Sequence, residues 1–346
     1  MKKILYLIPR FTTGGAEKLV FEYCRYFQQA GFEVAVASVV GGGELESEFN
    51  NLGISTFVGS KNKMFSTYRG LKKFIKEFSP DIIHSNVFSA DVVGFLFSAS
   101  RQWLSTQHNV GDEYSFWRKI VLRFVLRFAR VIAVSDSVKD FCIQKLGIKN
   151  SQIKIIKNGA QLKPFFESEN TLFSVQYLRL ASIGRIEKQK NHEFLLDILS
   201  ELHIPFDLKI FGAGSLQSDL SKKIKKLNLD KKIKFMGNSA NLARDLANVD
   251  VVLQPSLWEG RSLVIMESMA SAKIILASPQ AGADLIEDDE TGFVLQLDKN
   301  IWQKKIKQIW QEKNKEIGQK AREYAKNNFS IEQNLEELRK FYEGGK

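Results

Sequence analysis

Short runs of β-branched and other apolar residues recur along the whole chain, many ending in Gly, Ser, Asn or Pro before a longer helix-like stretch. The first series reads KILYLIP, EVAVASVV, DIIHSN, QWLSTQH and RVIAVS; the second reads KIIKNG, LRLASIG, DLKIFG, IKFMG, VDVVLQPS and KIILAS. Strand alternating with helix is the signature of parallel sheets joined by crossover helices, so the fold class is α/β. A polar stretch with Gly and Pro, NGAQLKPFFESEN at 158–170, separates the two series, and 346 residues are more than one ordinary domain holds. The expected organisation is two doubly wound domains, 1–165 and 166–328. A helical segment at 329–346, containing SIEQNLEELRKFYE, would then cross back to the first domain. Sheets of this kind bind ligands at the carboxyl ends of their strands, and two facing domains would leave one central cleft.

Several classes are excluded early. In MKKILYLIPRF the apolar run covers only Ile4 to Ile8 before Pro9 and Arg10, short of the about 7–15 residues of a signal-peptide core. It reads as a first strand. No apolar stretch approaches the roughly 20 residues of a membrane span. Cys24 and Cys142 sit among apolar residues and read as buried thiols, which suits a reducing, cytoplasmic compartment. The net charge of +11 is uneven: residues 1–165 hold 23 Lys and Arg against 13 Asp and Glu, while 166–346 hold 27 against 26. A basic first half fits an anionic membrane surface, a phosphorylated substrate or nucleic acid, beside the plain alternative of solubility. No nucleic-acid-reading motif accompanies the charge, so nucleic acid is not an expected partner.

Four stretches carry candidate chemistry. In IPRFTTGGAEKLVFEY, Gly14 and Gly15 lie between a strand and a helix, where missing Cβ atoms let a ligand approach and helix N–H groups can meet a phosphate; a tight turn is the alternative. FGAGSL, with Gly212 and Gly214, starts a dinucleotide fingerprint but lacks its third glycine, which leaves a nicotinamide site weak. In SIGRIEKQKNHEF, Arg185 and Lys190 straddle a helix start, an arrangement suited to a diphosphate clamp or to an ordinary solvated basic loop. In PSLWEGRSLVIMES, Glu259 precedes a helix that Ser262 can cap, and Glu267 lies about a turn and a half inside it. The N–H groups of Ser262, Leu263 and Val264 fall between the two carboxylates and suit an anion. One ligand with a polar end, a phosphate and a diol would fit the three parts.

Taken in order, the Gly-Gly-x-Glu near the N-terminus, Gly184-Arg185 with Lys190 five residues on, and Glu259-x7-Glu267 resemble glycosyltransferase family 4. NGAQ and DDETGF resemble further turns of that family. The resemblance covers nearly the whole chain. It implies a retaining enzyme with two Rossmann-like domains, the GT-B fold. Arg185 and Lys190 would hold the donor diphosphate, with Gly260, Arg261, Ser262, Leu263 and Val264 forming the helix start beneath it. Glu259 would face the donor sugar as a catalytic group and Glu267 the ribose. Gly14 and Gly15 would approach the donor, and His108 in STQHN would contact the sugar. His84 in DIIHSN is a lesser candidate on the acceptor side. Arg261 departs from a usually small or apolar position, Gln161 from an acid, and Asp284 from a glutamate. No D-x-D run occurs, so no essential metal and no cofactor are expected. The implied donor is a nucleotide-diphosphate sugar, UDP ahead of GDP on family frequency. A nucleotide-sugar 2-epimerase of the same fold and a non-catalytic nucleotide-sugar binder stay open as alternatives.

The segment YSFWRKIVLRFVLRFARVIAVS bears on the acceptor. On a helical wheel Lys119, Arg123, Arg127 and Arg130 fall within roughly 80°, with Trp117, Ile120, Val121, Phe124 and Phe128 around them. Such a helix suits an anionic bilayer; a packed helix with one wet basic stripe is the alternative. KNKMFSTYRGLKKFIKEF adds a second basic, aromatic segment. Relatives of the resembled family commonly act on lipid-linked or envelope-polysaccharide acceptors. The implied location is therefore the cytoplasmic face of a membrane, held peripherally.

Overall fold

The computed structural model describes residues 2–98, 101–111, 114–168, 173–174, 176–313 and 315–344. The chain forms two compact units, Met1–Asn158 with Asn334–Lys346, and Gly159–Gln333.

The first unit contains β1 (Lys3–Arg10), β2 (Glu33–Gly41), β3 (Ser55–Val58), β4 (Ile82–Asn86), β5 (Gln102–Gln107), β6 (Arg130–Ala133) and β7 (Ile153–Ile155). All pair in parallel in the order β3-β2-β1-β4-β5-β6-β7. The interior strand β1 is buried from Ile4 to Ile8, as a parallel strand covered on both faces must be. The second unit contains β8 (Leu178–Ile183), β9 (Phe206–Phe211), β10 (Ile233–Gly237), β11 (Val251–Gln254), β12 (Ile274–Ala277) and β13 (Phe293–Val294), parallel in the order β10-β9-β8-β11-β12-β13. One face of this sheet packs Leu195, Leu199, Trp302 and Ile306; the other packs Ile265, Met269, Ala321 and Phe329. Cys24 and Cys142 are both buried thiols. No helix among the described residues is long and apolar enough to cross a membrane.

Three sequence expectations change. KIIKNG was grouped with the second strand series, but β7 pairs with β6 through Val131–Ile153 and closes the first sheet. The strands β3 and β13 have no counterpart in the two series: β3 is an edge strand with no buried residue, and β13 has only two residues. The basic helix is shorter than its sequence period suggests: it runs Phe116–Val125, tightens to a 3₁₀ turn at Leu126–Phe128, and gives way to β6 at Arg130. Val131 and Ile132 are β-branched and find parallel partners on β5, which outweighs one more helical turn. Arg130 therefore leaves the basic stripe. Its guanidinium lies 3.8 Å from the centre of the Phe341 ring.

The C-terminal helix Ile331–Tyr342 packs on the first unit. Asn334 donates to the Lys157 carbonyl at 2.9 Å, and the Tyr342 ring lies 4.9 Å from that of Phe27.

Candidate active site

Each sheet reverses its strand order once: between β1 and β4 in the first, and between β8 and β11 in the second. The loops leaving the carboxyl ends on either side of such a reversal splay apart and form a ligand crevice. In the second unit those loops carry Arg185 and Lys190 after β8 and Glu259 after β11, the residues singled out by spacing.

The loop after β8 is built on glycine. Gly184 has φ +139°, and a Cβ at Gly212 would stand 2.1 Å from the Gly184 carbonyl oxygen. The approach requires glycine at 212, and the positive φ favours glycine at 184. It explains Gly212 as a packing residue, with no dinucleotide needed. The loop is then stitched to its neighbour: Ile186 N–H donates to Ala213 at 3.0 Å, and the Ser215 N–H and hydroxyl both donate to Glu187 at 2.8 Å. Those two bonds hold the Glu187 carboxyl below its ordinary range.

Gln189 is the hub that the sequence reading missed. It is buried between two lysines. Its backbone carbonyl accepts from Leu257 N–H at 2.8 Å. Its side-chain amide donates to the Trp258 carbonyl at 2.9 Å and to Glu259 Oε2 at 3.4 Å, and its carbonyl oxygen accepts from Arg185 at 3.4 Å. Lys190 Nζ lies 2.5 Å from Glu259 Oε1. Arg185, Lys190 and Glu259 thus form one connected group through Gln189. A lone Gln in a basic loop gives no periodic signal, so only its three-dimensional neighbours identify it.

The helix Leu263–Ala270 starts at Ser262, as expected, but the serine side chain makes no capping bond. Its buried hydroxyl, with the buried indole N–H of Trp258 and Oε1 of Gln254, has no hydrogen-bond partner in the protein. Buried polar atoms in native proteins are nearly always paired, so the Ser262 hydroxyl at the helix start can accept a polar ligand. The first-turn N–H groups of Leu263 and Val264 have no intrahelical acceptor by construction. Glu267, half-buried, follows them by four and three positions on the same helical face. Gly260 is buried at the loop's end.

Arg261 is a correction. Its side chain is buried, pairs with Asp284 at 3.1 Å and lies 5.3 Å from the Phe329 ring centre. Its side chain is thus engaged within the second unit by Asp284 and Phe329. Asp284, the departure from glutamate, is its partner.

In the first unit, Gly14 occupies the N-cap of the helix Gly15–Gln29 with φ −70°. Its dihedral does not require glycine; a Cβ there would meet only the end of the Glu17 side chain, at 2.3 Å. His108 follows β5, and its Nε2 lies 2.9 Å from Asn86 Oδ1 at the end of β4. Burial pushes its imidazole down to about 4, which leaves it neutral. Val87, next to Asn86, has φ 74° and ψ 155°, a region that β-branched residues rarely enter and that recurs at functional turns. Beneath this pair Asp91 accepts from Ser85 at 2.7 Å, Ser105 at 2.6 Å and Gln107 at 2.9 Å. Burial still pushes its carboxyl up to about 6.

His84 is also corrected. It is fully buried, its Nδ1 lies 2.5 Å from Tyr342 Oη, and its Nε2 lies 2.6 Å from Thr106 Oγ1. Both ring nitrogens are engaged, so it anchors the C-terminal helix and has nothing left for an acceptor. Of the basic stripe, Arg123 and Arg127 are exposed and Lys119 is half-exposed. Among the described residues no group of three or more His, Cys, Asp or Glu side chains is arranged to hold a metal ion.

Two parallel doubly wound units, the second with cations, an acid and a helix start gathered at its strand reversal, make up the architecture of a GT-B glycosyltransferase. The comparisons give the family. The model Glycosyltransferase Family 4 matches residues 13–163, and the model Glycosyl transferases group 1 matches residues 166–328. The chain belongs to glycosyltransferase family 4 and is a glycosyltransferase. It is 29% identical over 158 residues to an N-acetylgalactosamine-N,N'-diacetylbacillosaminyl-diphospho-undecaprenol 4-alpha-N-acetylgalactosaminyltransferase of Campylobacter jejuni, a match that spans 45% of this chain and 43% of that protein. It is 25% identical over 365 residues to the capsular polysaccharide biosynthesis glycosyltransferase CapH of Staphylococcus aureus, covering 99% of both. Among solved structures it superposes on Anabaena HepE, crystallised with UDP and glucose, with a TM-score of 0.88 and 21% identity, covering 99% of this chain and 100% of that one.

Proposed function

We propose that the chain transfers a sugar, with retention at the anomeric carbon, from a UDP-sugar to a lipid-linked saccharide in the assembly of an envelope polysaccharide. It would work peripherally at the cytoplasmic membrane face. The observation that carries this is the group at the second strand reversal: Arg185, Lys190, Glu259 and the start of the helix Leu263–Ala270, with the orphaned Ser262 hydroxyl among them. The relatives' names support the acceptor class, since one acts on a diphospho-undecaprenol and another builds capsular polysaccharide. The UDP bound to HepE supports the nucleotide.

In this reading Arg185, Lys190 and the N–H groups of Leu263 and Val264 hold the diphosphate, Glu267 the ribose, and Glu259 the sugar. For Gly14, Gly15 and His108 a donor contact rests on the family resemblance alone. The bond from the anomeric carbon to the diphosphate oxygen breaks, its electron pair leaving with the diphosphate. The acceptor oxygen bonds to the same face of the carbon, and its proton passes to the departing diphosphate oxygen. Fixed cations and helix N–H groups aimed at that developing charge supply electrostatic stabilisation. No metal enters the scheme.

The test is to incubate the enzyme with a panel of UDP-sugars, with and without undecaprenyl-diphosphate-linked saccharide. UDP release that needs both substrates, and a product of unchanged anomeric configuration by NMR, is the expected result. Conversion of the donor without acceptor would make it an epimerase, and binding with no turnover a sensor.

A further inference from the structure

We infer that residues 64–68 and 116–128 form one surface of the first unit that inserts aromatic side chains into an anionic lipid bilayer. The inference deepens the reading of a lipid-linked acceptor and rests on it. Ten of the fifteen large apolar side chains exposed among the described residues fall between Met64 and Phe128. Met64, Phe65, Phe116 and Trp117 are 76%, 74%, 73% and 72% exposed.

The helix Phe116–Val125 is apolar on two sides. It buries Leu122 and Val125 against the first unit and exposes Phe116, Trp117, Ile120, Val121 and Phe124. A surface helix that meets only water has a polar outer face. The two segments are continuous through the helix Phe88–Phe97: Tyr68 stacks on Phe97 at 5.3 Å, and Phe95 meets Phe124 at 5.5 Å and Phe128 at 5.3 Å. Joined apolar surface of this kind marks an interaction site.

Charge selects the occupant. Residues 61–76 contain six Lys and Arg and no acid; residues 116–130 contain five and no acid. Glu77 and the pair Asp112–Glu113 flank these stretches in sequence. A purely solvated surface mixes both signs. A second copy docking face to face would bring the same cations against these, which like charges oppose. An anionic bilayer satisfies both features: aromatic rings sit at the headgroup level, and Lys and Arg meet the phosphates. Insertion adds what charge alone does not give, a component of binding that salt does not screen.

Co-sedimentation with phosphatidylcholine–phosphatidylglycerol vesicles tests it at 0.1 M and 1 M salt, where the Debye length is about 10 Å and 3 Å. The wild type should keep a measurable bound fraction at 1 M. Phe65→Asp and Trp117→Asp should each weaken binding by about tenfold at both salts, the size expected for one buried aromatic side chain. Lipids brominated on their acyl chains should quench the wild-type fluorescence, and Trp117→Phe should remove most of that quenching. The inference is overturned if the wild type does not sediment, if 1 M salt releases it completely, if neither substitution matters, or if no quenching occurs. It is also overturned if ultracentrifugation shows a dimer that Trp117→Asp dissolves. UDP titration of the same variants separates the two readings. Normal UDP affinity with no vesicle binding removes the insertion alone, while absent UDP binding removes the functional reading beneath it.

Discussion

Lys190 Nζ lies 2.5 Å from Glu259 Oε1, both side chains largely withdrawn from water. The cation proposed to hold the donor's diphosphate is therefore already paired with the acid proposed to face its sugar. A diphosphate arriving at Lys190 shares it with a carboxylate, and part of its attraction is offset by that carboxylate's negative charge. Glu259→Gln keeps the shape and removes the charge. It should tighten binding of UDP, which has no sugar to lose, by up to about tenfold, while sharply lowering turnover. Calorimetry and initial rates read the two effects separately. Weaker UDP binding in Glu259→Gln would show that the pair supports the nucleotide rather than competing for it.

Arg261 tests the division between structural and ligand cations. Arg261 is buried while Asp284 is exposed, so Arg261→Ala removes a packed side chain and one ion pair and leaves a carboxylate that water solvates, a loss of about 0.5–3 kcal/mol. The second unit should lose thermal stability, while protein that remains folded keeps its UDP affinity. A stable variant with lost UDP binding would return Arg261 to the donor site.

The C-terminal tyrosine is expected to hold the first unit together. Tyr342 Oη contacts His84 Nδ1 and lies 3.0 Å from Tyr6 Oη, and the Tyr342 carbonyl accepts from Lys2 at 2.8 Å. Tyr342→Phe strands buried polar atoms of His84 and Tyr6, which costs about 1–3 kcal/mol. Calorimetric unfolding should show the loss; an unchanged Tm would mean that the contacts are incidental.

Acid should destabilise the protein through His84 and His192, which are buried, and His108, which is half-buried. Burial lowers His84 to about 3 and His108 and His192 to about 4, with the neighbouring His108 and Lys190 adding to the shifts of His84 and His192. Their unfolded value is about 6.5. Between those limits the unfolded chain binds more protons, so stability is complete above about pH 6.5 and declines as the pH falls towards 4. Asp91, raised to about 6 by burial, acts in the opposite direction, gaining stability as it protonates, but it is one group against three. Tm should fall from pH 7 to pH 4.5, and His84→Gln should flatten the curve. A Tm that rises over that range contradicts the assignment.

Turnover should survive EDTA. The proposed charge stabilisation comes from Arg185, Lys190 and helix N–H groups alone. Loss of activity in EDTA, restored by a divalent cation, would require a metal that this scheme omits.

How much of this was legible in the sequence follows from the range of each signal. Strand–helix alternation is local and repeated, so eleven of the strands could be located, although the parity of KIIKNG between the two sheets is a long-range fact. Glu259, Arg185 and Lys190 could be named from the sequence, and they lie together in the fold, because fixed spacings around strand ends survive into three dimensions. Gln189 and Asn86 were not found, since each matters only through partners that are distant in the chain. The partners of Arg261 and His84 were illegible for the same reason: Asp284 and Tyr342 lie far along the chain and meet them only in the fold. The outward apolar side of Phe116–Val125 was legible only as one of two options, because cations grouped among apolar residues fit a bilayer-facing helix and a packed helix with a wet stripe alike.

The central claim is that the second strand reversal holds a nucleotide diphosphate. Titration of UDP into the wild type, Arg185→Ala and Lys190→Ala by calorimetry tests it most directly. The wild type should bind, and each variant should stay folded with affinity reduced by roughly 1.5–3 kcal/mol, the range for a charge-assisted contact. Wild-type affinity in both variants would contradict the account.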